Sequence, residues 1–167
     1  MFAFHHPFLQ DSPKKRSKSE VTKVDIIPPT NNLVGPLLTD MYQISMTYAH
    51  FKNQKHNDHA VFDLFFRKCP FKGEFAIFAG LDECLRFIST YSFSESDVKY
   101  LKELMPTAEP EFFAWLSELD CSTIKVYAID EGSAVFPREP LLRIEGPLGI
   151  TQLLETTLLN LINFPTL

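Results

Sequence analysis

The chain has 167 residues, 45% hydrophobic and 22% charged, with a formal net charge of −5; that allows one domain with a core of its own and is not the composition of a disordered protein. The acidic balance gives no support to nucleic-acid binding, and no apolar run reaches the roughly 18 residues of a membrane helix. Cys69, Cys84 and Cys121, odd in number and widely spaced, fit reduced thiols of a cytosolic protein better than a disulfide framework or a zinc site, and the first ten residues lack the apolar core of a secretory signal.

Residues 1–32 carry "SPKKRSKSE" and "PPTNN", rich in Pro, Ser and Lys without a periodic apolar pattern, and read as a mobile extension. Its basic cluster, Lys14, Lys15, Arg16 and Lys18, has the composition of a nuclear-import signal, but a solvated tail is the preferred reading. The body opens with "LLTDMYQISMTYAHF". Met41, Ile44, Tyr48 and Phe51 follow helical spacing, Thr39 and Asp40 suit the N-cap, and Gln43 suits the reciprocal position behind it. Tyr42 is off that stripe, because one helical step turns a side chain by about 100°.

"AVFDLFFR" (60–67) reads as a strand, with Ala60, Phe62, Leu64 and Phe66 on an apolar face and Val61, Asp63, Phe65 and Arg67 on a mixed one. Asp63 and Arg67 lie roughly 13 Å apart on a strand rising about 3.3 Å per residue, too far to pair, so each needs another partner. The following "RKCPFKGEF" gathers Arg67, Lys68 and Lys72 at a strand end, where binding loops commonly sit. Three helices come next. "AGLDECLRFISTY" has a stripe of Leu81, Leu85 and Ile88, "SFSESDVKYLKELM" has Ser94 as N-cap with Asp97 three residues on, and "EPEFFAWLSEL" has Pro110 at its start. From Thr123 short β-rich runs broken by Gly and Pro predict a small antiparallel barrel-like or sandwich unit.

The last element, "GITQLLETTLLNLINF", has leucines around most of its circumference and one polar line through Gln152, Thr156, Asn160 and Asn163. Such a helix belongs inside a larger protein. With the sequence ending at Leu167, it is expected to lack cover and to drive aggregation, so the sequence reads as cut short. His50, His56 and His59 sit in a polar linker without the cysteine or carboxylate context of a metal site, and no metal is assigned to them.

The blocks "LLTDMYQ", "FDLFFRKCPFKGEFAIFAGL", "EGSAVFPREPLLRIEGPL" and "QLLETTLLNLIN", in this order, resemble the nicotinate phosphoribosyltransferase family. The resemblance implies an α+β fold, the N-terminal domain of a type II phosphoribosyltransferase, with helices packed on short antiparallel strands and most of the following α/β barrel absent. Residues 33–147 would form that domain and 148–167 the first helix toward the barrel. It implies a cytosolic enzyme of NAD synthesis that joins nicotinate to phosphoribosyl diphosphate. The products are nicotinate mononucleotide and diphosphate, with ATP hydrolysed, magnesium required, and a phosphorylated histidine expected beyond Leu167. Homodimers would share active sites between subunits, without nucleic acid or membrane as partners. The alternatives are the sister nicotinamide phosphoribosyltransferase, whose fit to the second and fourth blocks is poorer, and a non-catalytic domain that docks on full-length subunits.

By the same resemblance Tyr42 stacks on the nicotinate ring in the neighbouring subunit's site, which accounts for its departure from the core stripe. Packing at a domain edge is the bland alternative. Arg67 matches an arginine on substrate phosphates, and Asp40 caps the helix and supports Tyr42. Lys68 and Lys72 read as solvated loop residues. Glu155, an acid in an apolar helix, is expected to find its partner in the absent barrel. No catalytic residue falls within the chain, which is expected to be inactive alone.

Overall fold

The computed structural model describes Ala3–Phe4 and residues 27–167, so the basic cluster Lys14 to Lys18 lies outside the described residues. The elements follow as β1 (Ala3–Phe4), α1 (Met41–Lys52), β2 (His59–Leu64), β3 (Ala76–Ile77), α2 (Leu81–Ser89), α3 (Glu95–Leu104), α4 (Pro110–Glu118), β4 (Lys125–Ala128), β5 (Ala134–Val135), β6 (Leu142–Pro147), α5 (Leu148–Leu153) and α6 (Glu155–Thr166). Helices cover an antiparallel sheet, the α+β architecture expected. None of the described helices is long and apolar enough to cross a membrane.

The apolar face of β2 organises the core. Ala60, Phe62 and Leu64 are buried, and Phe66 continues that face past the strand end. Opposite them in register, Ile144 faces Phe62 and Leu142 faces Leu64, so β6 brings a matching apolar row against the same helices. Asp63 is nonetheless buried, because Arg143 stands directly across from it with Nε 2.9 Å from Oδ1. That cross-strand pair supplies the partner that strand spacing denied it within β2.

The strands after Thr123 do not form a separate barrel or sandwich. β4 and β6 complete a four-stranded sheet in the order β1-β2-β6-β4, while β5 pairs with β3 in a two-stranded ribbon. β5 and β6 find their hydrogen bonds on the earlier β3 and β2, and β4 on β6, since unpaired backbone groups at a buried edge are costly. In the ribbon Ala76 faces Val135. Val135 is buried, while the flanking Phe75, Ile77 and Phe136 are exposed.

Among the helices, α3 has the expected capping box, with Asp97 N–H donating to Ser94 Oγ at 3.2 Å and Ser94 N–H to Asp97 Oδ2 at 2.8 Å. Pro110 opens α4. Two stripes differ from their apolar spacing. On α1 the buried residues are Gln43, Ile44 and Thr47, and Met41 is exposed. The surface this helix packs on is α5, whose carbonyls call for polar side chains: Gln43 Nε2 donates to Gln152 O at 2.7 Å and Thr47 Oγ1 to Gly149 O at 3.5 Å. On α2 the buried residues are Cys84, Phe87 and Ile88, whereas Leu85 is exposed.

The helix expected over 149–164 breaks at Leu154 into α5 and α6, and Pro165 lies within the last turn of α6. It is not left bare. Ile150, Leu153, Leu154, Leu158 and Ile162 are buried in the same core as Ile44, Leu64 and Phe87; Phe164, at 93% exposed, is the large apolar side chain of α6 left outside. The turn before α2 receives the end of α6, with Thr166 Oγ1 bridging Ala79 N and O at 3.2 and 3.1 Å.

Candidate functional site

Tyr42 occupies the first turn of α1, just after the N-cap Asp40. Gln43 returns the cap, accepting from Asp40 N–H at 3.2 Å and from Thr39 Oγ1 at 2.5 Å. This fixes the helix start, with Gln43 turned fully inward and Tyr42, 46% exposed, turned out. Glu155 and Thr156, on the first turn of α6, lie near enough to act electrostatically on its hydroxyl. Partial burial first, then the Glu155 charge, push its pKa up to about 12, so the phenol keeps its proton at neutral pH.

The groups around it are joined in turn. Thr156 Oγ1 donates to Asp40 Oδ2 at 3.0 Å, and Gln152 Nε2 donates to Glu155 Oε2 at 3.0 Å. Glu155 therefore meets partners within this chain, contrary to the expectation that they lay beyond it. Asp40 combines capping with a link to α6 through Thr156. Gln152 and Thr156 belong to the polar line visible in the last helix; nothing local in the sequence pointed that line at α1.

Arg67 sits elsewhere, exposed after the end of β2. Arg138 N–H donates to the neighbouring Phe66 carbonyl at 2.7 Å, and buried Cys69 anchors the other side of the loop. Pro70–Lys72 then make one tight turn, with Phe71 and Lys72 at φ 54° and 59°. Two successive non-glycine residues in the left-handed region store backbone strain. Phe71, 97% exposed, gains no burial to offset it. The strained turn lies in an exposed loop beside Arg67, Lys68 and Lys72.

Other groups are poorly suited to chemistry. Burial pushes the Cys84 and Cys121 thiols up to about 12, which leaves little thiolate at neutral pH. The His56 ring packs between Phe51 and Trp115, with centroids at 4.9 and 5.1 Å. Among the described residues no group of three or more His, Cys, Asp or Glu side chains is gathered as a metal site requires.

Residues 37–163 match the model of the nicotinate phosphoribosyltransferase (NAPRTase) N-terminal domain. Nicotinate phosphoribosyltransferase 2 of Arabidopsis thaliana is 50% identical over 153 residues, 92% of this chain and 28% of that protein. Nicotinate phosphoribosyltransferase of Dictyostelium discoideum is 54% identical over 143 residues, 86% of this chain and 24% of that one. The crystal structure of human nicotinic acid phosphoribosyltransferase superposes with a TM-score of 0.71 at 45% identity, covering 76% of this chain and 26% of that chain. The chain thus spans about a quarter of the length of these relatives. A domain model that takes in both α1 with Tyr42 and α6 with Glu155, together with relatives at such identity, means that the chain belongs to the nicotinate phosphoribosyltransferase family.

Proposed function

We propose that this chain supplies part of the active site of a cytosolic nicotinate phosphoribosyltransferase of NAD synthesis. The reaction joins nicotinate and phosphoribosyl diphosphate into nicotinate mononucleotide and diphosphate, with ATP hydrolysis. The observation that carries the reading is Tyr42: an aromatic ring nearly half exposed and turned off the buried face of α1. Nicotinate is a flat aromatic carboxylate. A tyrosine offers it a large face at low side-chain entropy cost, and ring pairs of this kind contribute about 0.5–1.5 kcal/mol beyond area burial. Held in plane, the pyridine nitrogen is aligned for attack on the ribose anomeric carbon. The relatives' names specify nicotinate, which favours the acid over the amide.

As the bond to diphosphate breaks, positive character grows on the ribose and negative charge on the leaving group. Arg67 is placed at that leaving group. Its guanidinium donates two parallel hydrogen bonds to phosphate oxygens, and donors waiting where charge develops lower the barrier. Tyr42 serves the site of the other subunit in a homodimer. In a full-length enzyme ATP would supply the phosphoryl group for a histidine outside this segment, and Mg2+ would neutralise phosphate charge. In this reading the chain's part is the positioning of substrates through Tyr42 and Arg67.

The test is steady-state kinetics of Tyr42→Ala and Tyr42→Phe in a full-length enzyme carrying this segment. Tyr42→Ala is expected to raise the KM for nicotinate with the fold intact, and Tyr42→Phe to keep most of the native value. An unchanged nicotinate KM in Tyr42→Ala would sink the reading.

A further inference from the structure

Between α2 and the loop that follows α4 lies a cleft of about 560 Å³, lined by Asp82, Leu85 and Arg86 of the helix and by Asp120 and Ser122 of the loop. That is the size of a small-molecule site, for which about 300–1,000 Å³ is usual. Thr30 N–H donates to Glu83 Oε2 at 3.0 Å, tying the segment that begins at Ile27 to α2, and Ile27 adds an apolar wall. Two features of the cleft are left unexplained by the fold. Leu85, 44% exposed, stands open where its apolar spacing predicts burial. Tyr91, 4% exposed, also lines the cleft, its ring held edge-on by Phe87 and Phe93 with centroids at 5.4 and 5.7 Å, yet its buried hydroxyl has no hydrogen-bond partner. Native proteins rarely tolerate such an orphan, because a buried polar group without a partner keeps the full cost of leaving water.

The charged groups at the rim are engaged with one another. Arg86 Nε donates to Asp82 Oδ2 at 2.7 Å and stands 3.8 Å from Glu83 Oε1, while Asp120 Oδ1 accepts from Ser122 N–H and Oγ at 2.9 and 2.6 Å. Carboxylates outnumber the one guanidinium, so an anion would be repelled, and a cation would find both lining carboxylates already bonded. We infer that this cleft binds a neutral, flat, largely apolar small molecule whose carbonyl group accepts from the Tyr91 hydroxyl while its rings lie against Ile27, Leu85 and Ile88. Such a ligand supplies the missing partner and covers the open leucine together. The site stands apart from the reading of Tyr42 and Arg67, neither of which lines it.

The test titrates the neutral fluorescent ketone prodan into the 167-residue chain, with acetylnaphthalene and ethylnaphthalene as competitors that differ only in the carbonyl. Prodan should bind saturably, and the ketone should compete better than the hydrocarbon. In Tyr91→Phe that preference should vanish, with the ketone weakened about 2- to 12-fold, the share of one hydrogen bond. The urea midpoint of Tyr91→Phe should be no lower than that of the native chain, since nothing in the fold uses the hydroxyl; a marked fall would make the hydroxyl structural and overturn the proposal. Leu85→Glu, at an exposed position, brings a carboxylate against the ligand's rings and should weaken prodan about tenfold or more. Should that variant fail to fold, Tyr91→Phe carries the measurement. Tyr42→Ala should bind prodan as the native chain does. Binding that neither Tyr91→Phe nor Leu85→Glu alters belongs to another surface, such as Phe75 and Phe136, and overturns the proposal, as does the absence of saturable binding.

Discussion

Arg67 is the residue whose charge the proposed chemistry uses most directly, and its neighbours explain why replacing it is informative. It follows a strand whose inward face is fully buried, and the loop after it is pinned by Cys69 and by the Arg138 to Phe66 backbone bond. Removal of an exposed side chain at this point leaves those anchors in place. Arg67→Ala should weaken phosphoribosyl diphosphate more than nicotinate, by about 1.5–3 kcal/mol for one charged hydrogen-bonding group, measured as the ratio of the two KM changes. An equal effect on both substrates would point to a structural role. In the proposed reading Tyr42 serves the other substrate, so the two substitutions should separate the substrates in opposite directions.

At the scale of elements, the fold depends on how helix ends are received by their neighbours. Gly80, the N-cap of α2, has φ 97°, and a Cβ there would strike the Leu161 carbonyl oxygen and lie 2.8 Å from Pro165 Cγ. Gly132 has φ 85° with open space around it. An L side chain in the left-handed region costs roughly 1–2 kcal/mol, so Gly132→Ala should lose about that much in urea unfolding, and Gly80→Ala clearly more. The docking of α1 beside α4 is charge-dependent. Glu109 accepts from the Tyr48 hydroxyl and pairs with Lys52 Nζ at 3.0 Å, and the hydroxyl first, then the ammonium, hold its carboxyl down to about 2. A carboxyl depressed on folding stabilises the protein above its unfolded pKa and loses that contribution as pH falls through the folded one. The difference in urea midpoint between the native chain and Glu109→Gln should therefore be full above about pH 4.5 and close by about pH 2. Local signals of this kind were legible. The boxes at Asp40/Gln43 and Ser94/Asp97, the proline opening α4, the face of β2 and the outward turn of Tyr42 all follow from chemistry within a few residues. Met41 was misplaced because apolar spacing cannot register that α1 packs on carbonyls and wants Gln43 and Thr47, and Leu85 because α2 turns Cys84, Phe87 and Ile88 inward instead. The partners of Asp63 and β5 lie far along the chain, where no periodicity reaches.

For the molecule as a whole, a quarter of a relative's length carries a complete core. The proposed site needs residues that this chain does not supply. Incubated alone with nicotinate, phosphoribosyl diphosphate, ATP and magnesium, it should form no nicotinate mononucleotide above a no-enzyme control. With most of α6 covered, the aromatic side chains beside the β3–β5 ribbon are one exposed apolar surface a hydrophobic dye should report, and replacing Phe75 and Phe136 by Ser should lower that signal. The order of the main sheet also governs when this core can exist. Its two middle strands are joined through Asp63 and Arg143, which are 80 residues apart, so β2 leaves the ribosome long before the strand that completes it. At about 5–20 residues per second, synthesis leaves that strand without its central neighbour for roughly 4–16 s. Over that interval the aromatic face of His59–Leu64 presents open backbone to whatever else is nearby, and closure must wait for a slow, long-range pairing. Birth, more than the finished state, is where this chain is most exposed to misassembly.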